Sequence, residues 1–313
     1  MKSRFPKLLL AGILLAVLVP GLLLVFGMGA VAGKYRPGLV RPFSDWALTL
    51  VLPLRQAACD VEDVTICGVA NTDREAVDCA PFASDNPRNA VLFIFGQSNS
   101  ANFGETRYRA AEHVINFNVH DGKCYATEDP LLGPDGDGGS PWGRLGDKLV
   151  ASGAYDRVLL VPFGIGGTTL GEWTVKGRLH PRVVFAARQL QRAGIKPTHV
   201  LWHQGESDVL QGTTSADYIR MFDALVRALR DYGIDAPVFP AVASVCDNLG
   251  SDTIRSAQRA LPGSIPGVYP GADTDTLTDM RDRVDYCHFS QRGLEAHAEL
   301  WKAVILSFNR QPH

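Results

Sequence analysis

The sequence of 313 residues lacks a strong charge of either sign. Charged residues make up 20% of the chain and its formal net charge is −2, so no basic surface able to hold a nucleic-acid backbone is expected. The sequence also lacks a Gly-X-Y period, although it has 31 glycines and 19 prolines, which excludes a collagen-like chain. Because 46% of its residues are hydrophobic, the chain is predicted to be globular rather than disordered.

The cysteines are few, and they lack the spacing of a zinc site. A structural zinc site is typically built from paired C-x-x-C spacings or from such a pair with histidines, and neither arrangement occurs here. No metal site is therefore predicted. Cofactor-type repeats are also absent, and no cofactor is predicted. The six cysteines are Cys59, Cys67, Cys79, Cys124, Cys246 and Cys287.

Charge is absent from a long stretch at the N-terminus. Residues 8–33 contain no charged side chain, and about 20 apolar residues are enough for a membrane-spanning helix. A signal peptide cleaved after Ala30-Val31-Ala32 is one interpretation, but the apolar core of signal peptides is usually about 7–15 residues. The greater length favours an uncleaved anchor over residues 1–33, with secretion after cleavage as the alternative.

Both interpretations export the rest of the chain into an oxidising compartment, where disulfides form. Basic residues flank the apolar stretch on both sides, which is typical of a bacterial inner-membrane anchor with its domain in the periplasm. We therefore expect a membrane contact through this helix. Residues 34–88 are predicted to be a cysteine-containing connecting region.

From residue 89 the pattern is that of a single domain extending to residue 313. Short apolar runs that end in turn residues are typical of buried parallel strands, and they occur at 91–95, 158–163, 199–202 and 238–243. Helical stretches lie between or after them, at 182–193, 215–232, 252–260 and 291–308. Alternation of strand and helix predicts an α/β fold, a three-layer α/β/α sandwich with a parallel sheet.

In open α/β sheets, ligands bind outside the carboxyl ends of the strands, so the residues after each run are the candidates for chemistry. Ser98 follows the first run on a sharp turn that can project its hydroxyl into solvent. Gly166 and Gly167 follow the second, where a glycine lets a backbone N–H approach a reacting group closely.

The later runs add an amide and an acid–imidazole pair. Gln204 follows the third run, and its side chain can donate a hydrogen bond to an oxyanion. Asp285 and His288 stand three residues apart before the last helix, where the carboxylate can orient the imidazole. His203 and Glu206 are interpreted mainly as hydrogen-bonding neighbours rather than as a base or metal ligands. Together these groups predict acyl transfer through a serine.

These segments resemble, in order, the successive blocks of the SGNH hydrolase superfamily, and within it the sialate O-acetylesterase, or carbohydrate acetylesterase, branch. The resemblance covers roughly residues 89–308, the size of one domain, and it implies a flavodoxin-like α/β/α fold. Residues 1–88 lie outside it. The matching blocks are Gly96-Gln97-Ser98-Asn99, Gly166-Gly167-Thr168 with Trp173, Trp202-His203-Gln204-Gly205-Glu206-Ser207, and Asp285-x-x-His288.

The resemblance implies a role for each matching residue. Ser98 is the nucleophile, His288 its general base and Asp285 the group that orients His288. The oxyanion hole combines the backbone N–H of Ser98, that of Gly166 or Gly167, and the Gln204 side chain. The residues expected to contact substrate are Gln97, Asn99, Trp173 and Glu206.

The sequence thus predicts a serine esterase that removes O-acetyl groups from a carbohydrate through an acyl-enzyme. Sialic acid, xylan, an extracellular polysaccharide and peptidoglycan all stay open as the acetylated substrate. One alternative is another SGNH acyl hydrolase or a glycan acetyltransferase. A second alternative is a non-catalytic glycan-binding protein on the same scaffold.

Two cysteines are expected close to this site. Cys246 follows the fourth apolar run and Cys287 adjoins His288, so both should lie near the same edge of the sheet. Although six cysteines allow 15 pairings, this position predicts a Cys246–Cys287 bridge. The other four cysteines are then expected to pair among themselves.

Overall fold

The structure is a computed structural model that describes residues 74–247 and 249–311. The predicted anchor at residues 1–33 lies outside the described residues, as do Cys59 and Cys67. No helix in the described part of the chain is both long enough and apolar enough to cross a membrane.

Seven strands form one sheet in the order β1-β4-β3-β5-β2-β6-β7. The strands are β1 (Ala76–Val77), β2 (Asn89–Gly96), β3 (Val114–Asn118), β4 (Lys123–Ala126), β5 (Arg157–Pro162), β6 (His199–His203) and β7 (Val238–Pro240). The five strands β3, β5, β2, β6 and β7 pair in parallel.

The prediction of a parallel sheet is wrong at one edge, where β4 runs antiparallel to both β3 and β1. The cause is the connection between β3 and β4, which is only residues 119–122. A parallel neighbour needs a crossover of a dozen or more residues, whereas a short turn joins antiparallel neighbours. The sheet is therefore mixed, with a parallel centre.

The helices of the described part follow or separate these strands. They are α1 (Trp142–Ala151), α2 (Leu170–Trp173), α3 (His180–Ala193), α4 (Glu206–Gln211), α5 (Ser215–Asp231), α6 (Asp252–Ser264) and α7 (Gln291–Asn309). Helices α3, α5, α6 and α7 confirm the four predicted helical stretches, with ends that differ by up to four residues. Strands β2, β5, β6 and β7 confirm the four predicted strands.

Strand β2 is buried along its whole length, as expected of a central parallel strand. On one face Leu92 belongs to a buried cluster with Trp142 of α1 and Trp301 of α7. On the other face Phe95 contacts Trp173 of α2. Because successive residues of a strand point to opposite faces, helices flank the sheet on both sides, as the α/β prediction requires.

The end of the predicted connecting region contributes to the sheet. Strand β1 pairs with β4, with Val77 opposite Cys124. Two residues further along, Cys79 forms a disulfide with Cys124. This bond lies within the set of four cysteines expected to pair among themselves, and it fastens the chain before the first central strand to the sheet edge.

Breaking the Cys79–Cys124 disulfide is expected to lower the free energy of unfolding. The link closes a loop across 45 residues, and the loss of its loop-closure effect corresponds to about 4 kcal/mol. The measurement is urea unfolding of the Cys79→Ser, Cys124→Ser double variant beside the wild type in oxidising buffer. In reducing buffer the difference should vanish, which is the control. Equal unfolding midpoints in oxidising buffer would contradict the prediction.

Candidate active site

The turn after β2 positions Ser98 at the carboxyl end of the sheet. Gly96 has φ +135°, and a Cβ at this position would lie 2.1 Å from the carbonyl oxygen of His203 in β6. Only glycine fits such a close approach of two strands. The N–H of Gln97 then donates to the same carbonyl at 3.0 Å, and a short 3₁₀ helix covers Ser98–Ser100. Ser98 therefore stands where β2 and β6 end. It is only 5% exposed, so the expectation that its hydroxyl projects into solvent is wrong.

The Asp285–His288 pair lies on the loop before α7. His288 Nδ1 donates to Asp285 Oδ2 at 2.6 Å, while Asp285 Oδ1 accepts the backbone N–H groups of Cys287 at 3.0 Å and His288 at 2.7 Å. Tyr286, between them, has φ +65°, a conformation rare for a residue with a side chain. The carboxylate thus stabilises the turn and orients the imidazole at once.

The pKa of Asp285 lies below its ordinary value. Burial raises this pKa, but the hydrogen bond and charge of His288, together with the two backbone donors, outweigh burial. An ionised carboxylate only accepts hydrogen bonds, so the shared proton sits on Nδ1 of His288. In the neutral imidazole with this proton on Nδ1, the Nε2 atom has a lone pair that can accept a proton from a hydroxyl.

Two contacts bring the Ser98 segment against the His288 segment. The Asn99 side-chain amide donates to the Cys287 carbonyl at 3.3 Å and to Glu206 Oε1 at 2.8 Å. The Phe103 ring stacks on the His288 imidazole, with ring centroids 5.3 Å apart and planes inclined by 22°. The structure therefore joins the serine turn and the acid–imidazole loop, which are far apart in sequence.

The predicted Cys246–Cys287 disulfide is confirmed. It ties the loop beside His288 to the segment that follows β7. The buried guanidinium of Arg283 reinforces this tie by donating to the carbonyls of Val245 at 3.2 Å, of Leu277 at 3.1 Å and of Cys287. Sequence reasoning found the disulfide but not Arg283, because no motif marks an arginine that binds backbone carbonyls.

Gly166 and Gly167 lie on the turn after β5. This turn is held against the serine turn, since the N–H of Ile165 donates to the Gly96 carbonyl at 3.0 Å. Gly166 is partly buried, whereas Gly167 is exposed and has φ +69°. Both predicted backbone donors thus lie on a segment that contacts Gly96, at the start of the Ser98 turn.

The Gln204 side chain lies in a buried hydrogen-bond network. Its amide nitrogen is 2.5 Å from Asp208 Oδ2, 3.1 Å from the Thr168 carbonyl and 3.3 Å from Gln97 Oε1. An amide has two protons, and both have acceptors inside the protein here. Donation to a substrate oxyanion would require one of these contacts to break.

Other residues expected to contact substrate are also buried. The structure does not place Trp173 on a substrate surface, because its indole is fully buried, contacts Phe95 and donates to Thr168 Oγ1 at 3.0 Å. Gln97 Oε1 accepts the N–H of Ser207 at 3.1 Å, at the start of α4. The structure also buries Asn99 and Glu206, which form a hydrogen bond with each other and are 5% and 2% exposed.

Two further histidines lie beneath the site. His203 is fully buried with its Nε2 2.9 Å from Thr274 Oγ1, and its ring centroid is 4.8 Å from that of His297. Burial lowers the pKa of both imidazoles, so both are neutral. This agrees with the interpretation of His203 as a hydrogen-bonding neighbour. Residues 74–247 and 249–311 contain no group of three or more His, Cys, Asp or Glu arranged to hold a metal ion.

A mostly parallel sheet with a serine, glycine donors and an Asp–His pair at the ends of its strands is the arrangement of an SGNH-type esterase. Residues 88–300 match the family model described as carbohydrate esterase, sialic acid-specific acetylesterase. The chain belongs to this family. The resemblance drawn from the motifs is confirmed, as is the prediction of an ester hydrolase at the level of the family.

Individual relatives agree with this assignment. The chain is 34% identical over 104 residues to the probable carbohydrate esterase At4g34215 of Arabidopsis thaliana, a match that spans 33% of this chain and 40% of that protein. The X-ray structure of that plant protein superposes with a TM-score of 0.58 at 21% identity, covering 72% of this chain and 98% of that one. The crystal structure of NanS gives 0.50 at 18% identity, covering 72% and 99%. These structures share the fold.

Removing the imidazole is expected to raise the pKa of Asp285. In His288→Ala the carboxylate loses the hydrogen bond and charge that lower this pKa, while burial still raises it. The folded-state pKa is below the ordinary value, so the wild-type contact stabilises the fold at pH values above the ordinary pKa. This stabilisation is lost as the pH falls through the folded-state pKa. Carbon-13 NMR titration of the Asp285 carboxyl measures the shift.

The matched control is His113→Ala, which removes an imidazole whose side chain is 46% exposed and is not bonded to Asp285. It should leave the Asp285 titration in place. An Asp285 pKa that is the same in His288→Ala and in the wild type would show that the observed contact does not set it.

Proposed function

We propose that this protein is a serine esterase that removes O-acetyl groups from a carbohydrate through an acyl-enzyme on Ser98. One observation carries the proposal: the Asp285–His288 pair, bonded at 2.6 Å, is held against the turn that bears Ser98. Membership of a carbohydrate esterase family supports the substrate class.

The first half of the reaction forms the acyl-enzyme. Ser98 Oγ attacks the acetyl carbonyl carbon while His288 Nε2 takes its proton, and Asp285 stabilises the resulting imidazolium. The oxyanion accepts hydrogen bonds from the backbone N–H groups of Ser98 and Gly166, with Gly167 as the neighbouring donor. Collapse of the intermediate breaks the ester bond, His288 returns the proton to the sugar oxygen, and the acetyl group stays on Ser98.

The second half releases acetate. His288 Nε2 takes a proton from water as the water oxygen attacks the acetyl carbon on Ser98. Collapse breaks the bond to Ser98 Oγ, which recovers its proton from His288. We assign Gln97, Asn99, Gln204 and Glu206 to holding these groups rather than to touching the sugar, because the side chains of all four form hydrogen bonds within the protein.

The substrate and the compartment are part of the proposal. The family description names sialic acid, so an O-acetylated sialic acid is the first substrate to test, ahead of acetylated xylan or peptidoglycan. We further propose that residues 1–33 anchor the chain in a membrane and that the esterase domain is exported, with secretion after cleavage as the alternative. The two disulfides of the described part support an oxidising compartment.

Substitution of the catalytic residues is expected to abolish acetate release. In Ser98→Ala and His288→Ala, kcat/KM for an acetylated sugar should fall by about 10⁴-fold or more, since the nucleophile or its base is gone. Asp285→Asn keeps the shape of the side chain but loses its charge, so a fall of about 10²- to 10⁴-fold is expected. Enzymatic assay of free acetate measures all three.

Matched controls come from the far side of the domain. Ser84→Ala removes an exposed hydroxyl that bonds Pro81, and His113→Ala removes an exposed imidazole; neither should change acetate release. Unchanged hydrolysis in Ser98→Ala would disprove the serine mechanism. Acetyl transfer to a second glycan without free acetate would identify a transferase. Glycan binding without turnover, unaffected by Ser98→Ala, would identify a binding protein.

A further inference from the structure

Phe103 lies between the two parts of the site that must act together. It follows the short helix that bears Ser98, and its partly buried ring stacks on the His288 imidazole at 5.3 Å. On another side the ring packs against the glycine turn, where a Cβ on Gly166 would lie 2.7 Å from a Phe103 ring carbon. One aromatic side chain thus contacts both the base and a backbone donor of the oxyanion hole.

The stacked Phe103 ring restricts a motion of the imidazole that the hydrogen bond to Asp285 leaves free. A single hydrogen bond at Nδ1 fixes one atom of the imidazole, but the ring can still rotate about the line through that bond. The Asp285 side chain is itself 52% exposed, so its own position is not enclosed by protein. A flat ring lying nearly parallel to the imidazole removes this rotation, and it keeps Nε2 directed along one line.

The ring face can also interact with the imidazolium that forms during the proposed reaction. An aromatic face attracts a cation through its quadrupole, and the imidazolium exists only while His288 holds the serine proton. The interaction is therefore stronger at the charged stage of the reaction than in the resting site, which is the condition for faster catalysis rather than tighter binding.

We propose that Phe103 is a positioning residue of this esterase, whose ring holds the His288 imidazole in plane against the turn that carries Gly166. The proposal rests on the proposed function, because it needs His288 to act as the base. It predicts that the flat ring matters rather than apolar bulk. Phe103→Leu keeps most of the bulk and removes the face that stacks.

The experiment compares Phe103→Leu with Phe308→Leu. Phe308 is also partly buried, but it packs on Phe239 and Tyr269. In Phe103→Leu, kcat for an acetyl ester should fall about tenfold or more while KM stays within about twofold, because orientation is lost rather than binding. Phe308→Leu should leave both constants near the wild-type values. A kcat in Phe103→Leu equal to that in Phe308→Leu, or a rise in KM alone, would overturn the proposal.

A second measurement does not depend on turnover. In the wild type the stack should shift the His288 Cε1–H proton resonance upfield by ring current, and Phe103→Leu should abolish this shift while Phe308→Leu keeps it. If Phe103→Leu fails to fold, Phe103→Met serves in its place. A wild-type His288 resonance without the upfield shift would refute the stack. If Ser98→Ala hydrolysed the ester as fast as the wild type, the proposed function would be refuted instead. The two failures are therefore distinguishable.

Discussion

The site depends on one side-chain amide, that of Asn99. It donates one hydrogen bond to Glu206 at the start of α4 and one to the carbonyl of Cys287 beside His288. These two partners lie 107 and 188 residues after Asn99 in the sequence. An amide suits this position because it has two donors for two acceptors. Loss of the amide would leave a buried carboxylate and a buried carbonyl without this donor, at the cost of their desolvation. An interaction that performs no chemistry thus helps to hold the turn that bears Ser98 against the loop that bears His288.

The sequence predicted the central strands because each contains a continuous apolar run, and it missed elements whose pattern is broken by polar residues or glycine. Strand β3 reads Val-Ile-Asn-Phe-Asn, and its Asn116 is fully buried among apolar residues. The amide is satisfied by the backbone of Leu132, on a distant loop, which no local pattern reveals. Helix α1 contains two glycines, Gly143 and Gly146, which lower its intrinsic propensity. In both cases tertiary contacts decide the structure.

The sequence likewise predicted only part of the candidate site. The motifs suggested Ser98, Asp285 and His288 as a triad, because residue type and order along the chain are enough for that prediction. They did not tell which neighbouring side chains face the substrate, since that direction is set by partners from other segments. Gln204 turns inward to Asp208 and the Thr168 carbonyl. A residue in a motif can be required because it holds its neighbours in place, just as it can be required for catalysis. Only the three-dimensional contacts distinguish these two roles.

The tip of the loop that bears the acid–imidazole pair, residues 284–286, has little buried surface of its own. Asp285 is exposed, Tyr286 has a left-handed backbone, and such a segment would be among the first to open. Its position is instead fixed by links to other segments. The Arg283 guanidinium, on the same loop, binds backbone carbonyls that include that of Val245, and Cys287 is bonded to Cys246. Burial lowers the pKa of Arg283, and nearby acids, Glu206 first among them, oppose this effect, so the guanidinium keeps its charge. In a reducing compartment the covalent tie would be lost, and the loop would depend on noncovalent contacts, among them those of Arg283 and the Asn99 hydrogen bond to the Cys287 carbonyl. A disulfide placed next to the proposed base therefore supports the proposal that the domain is exported.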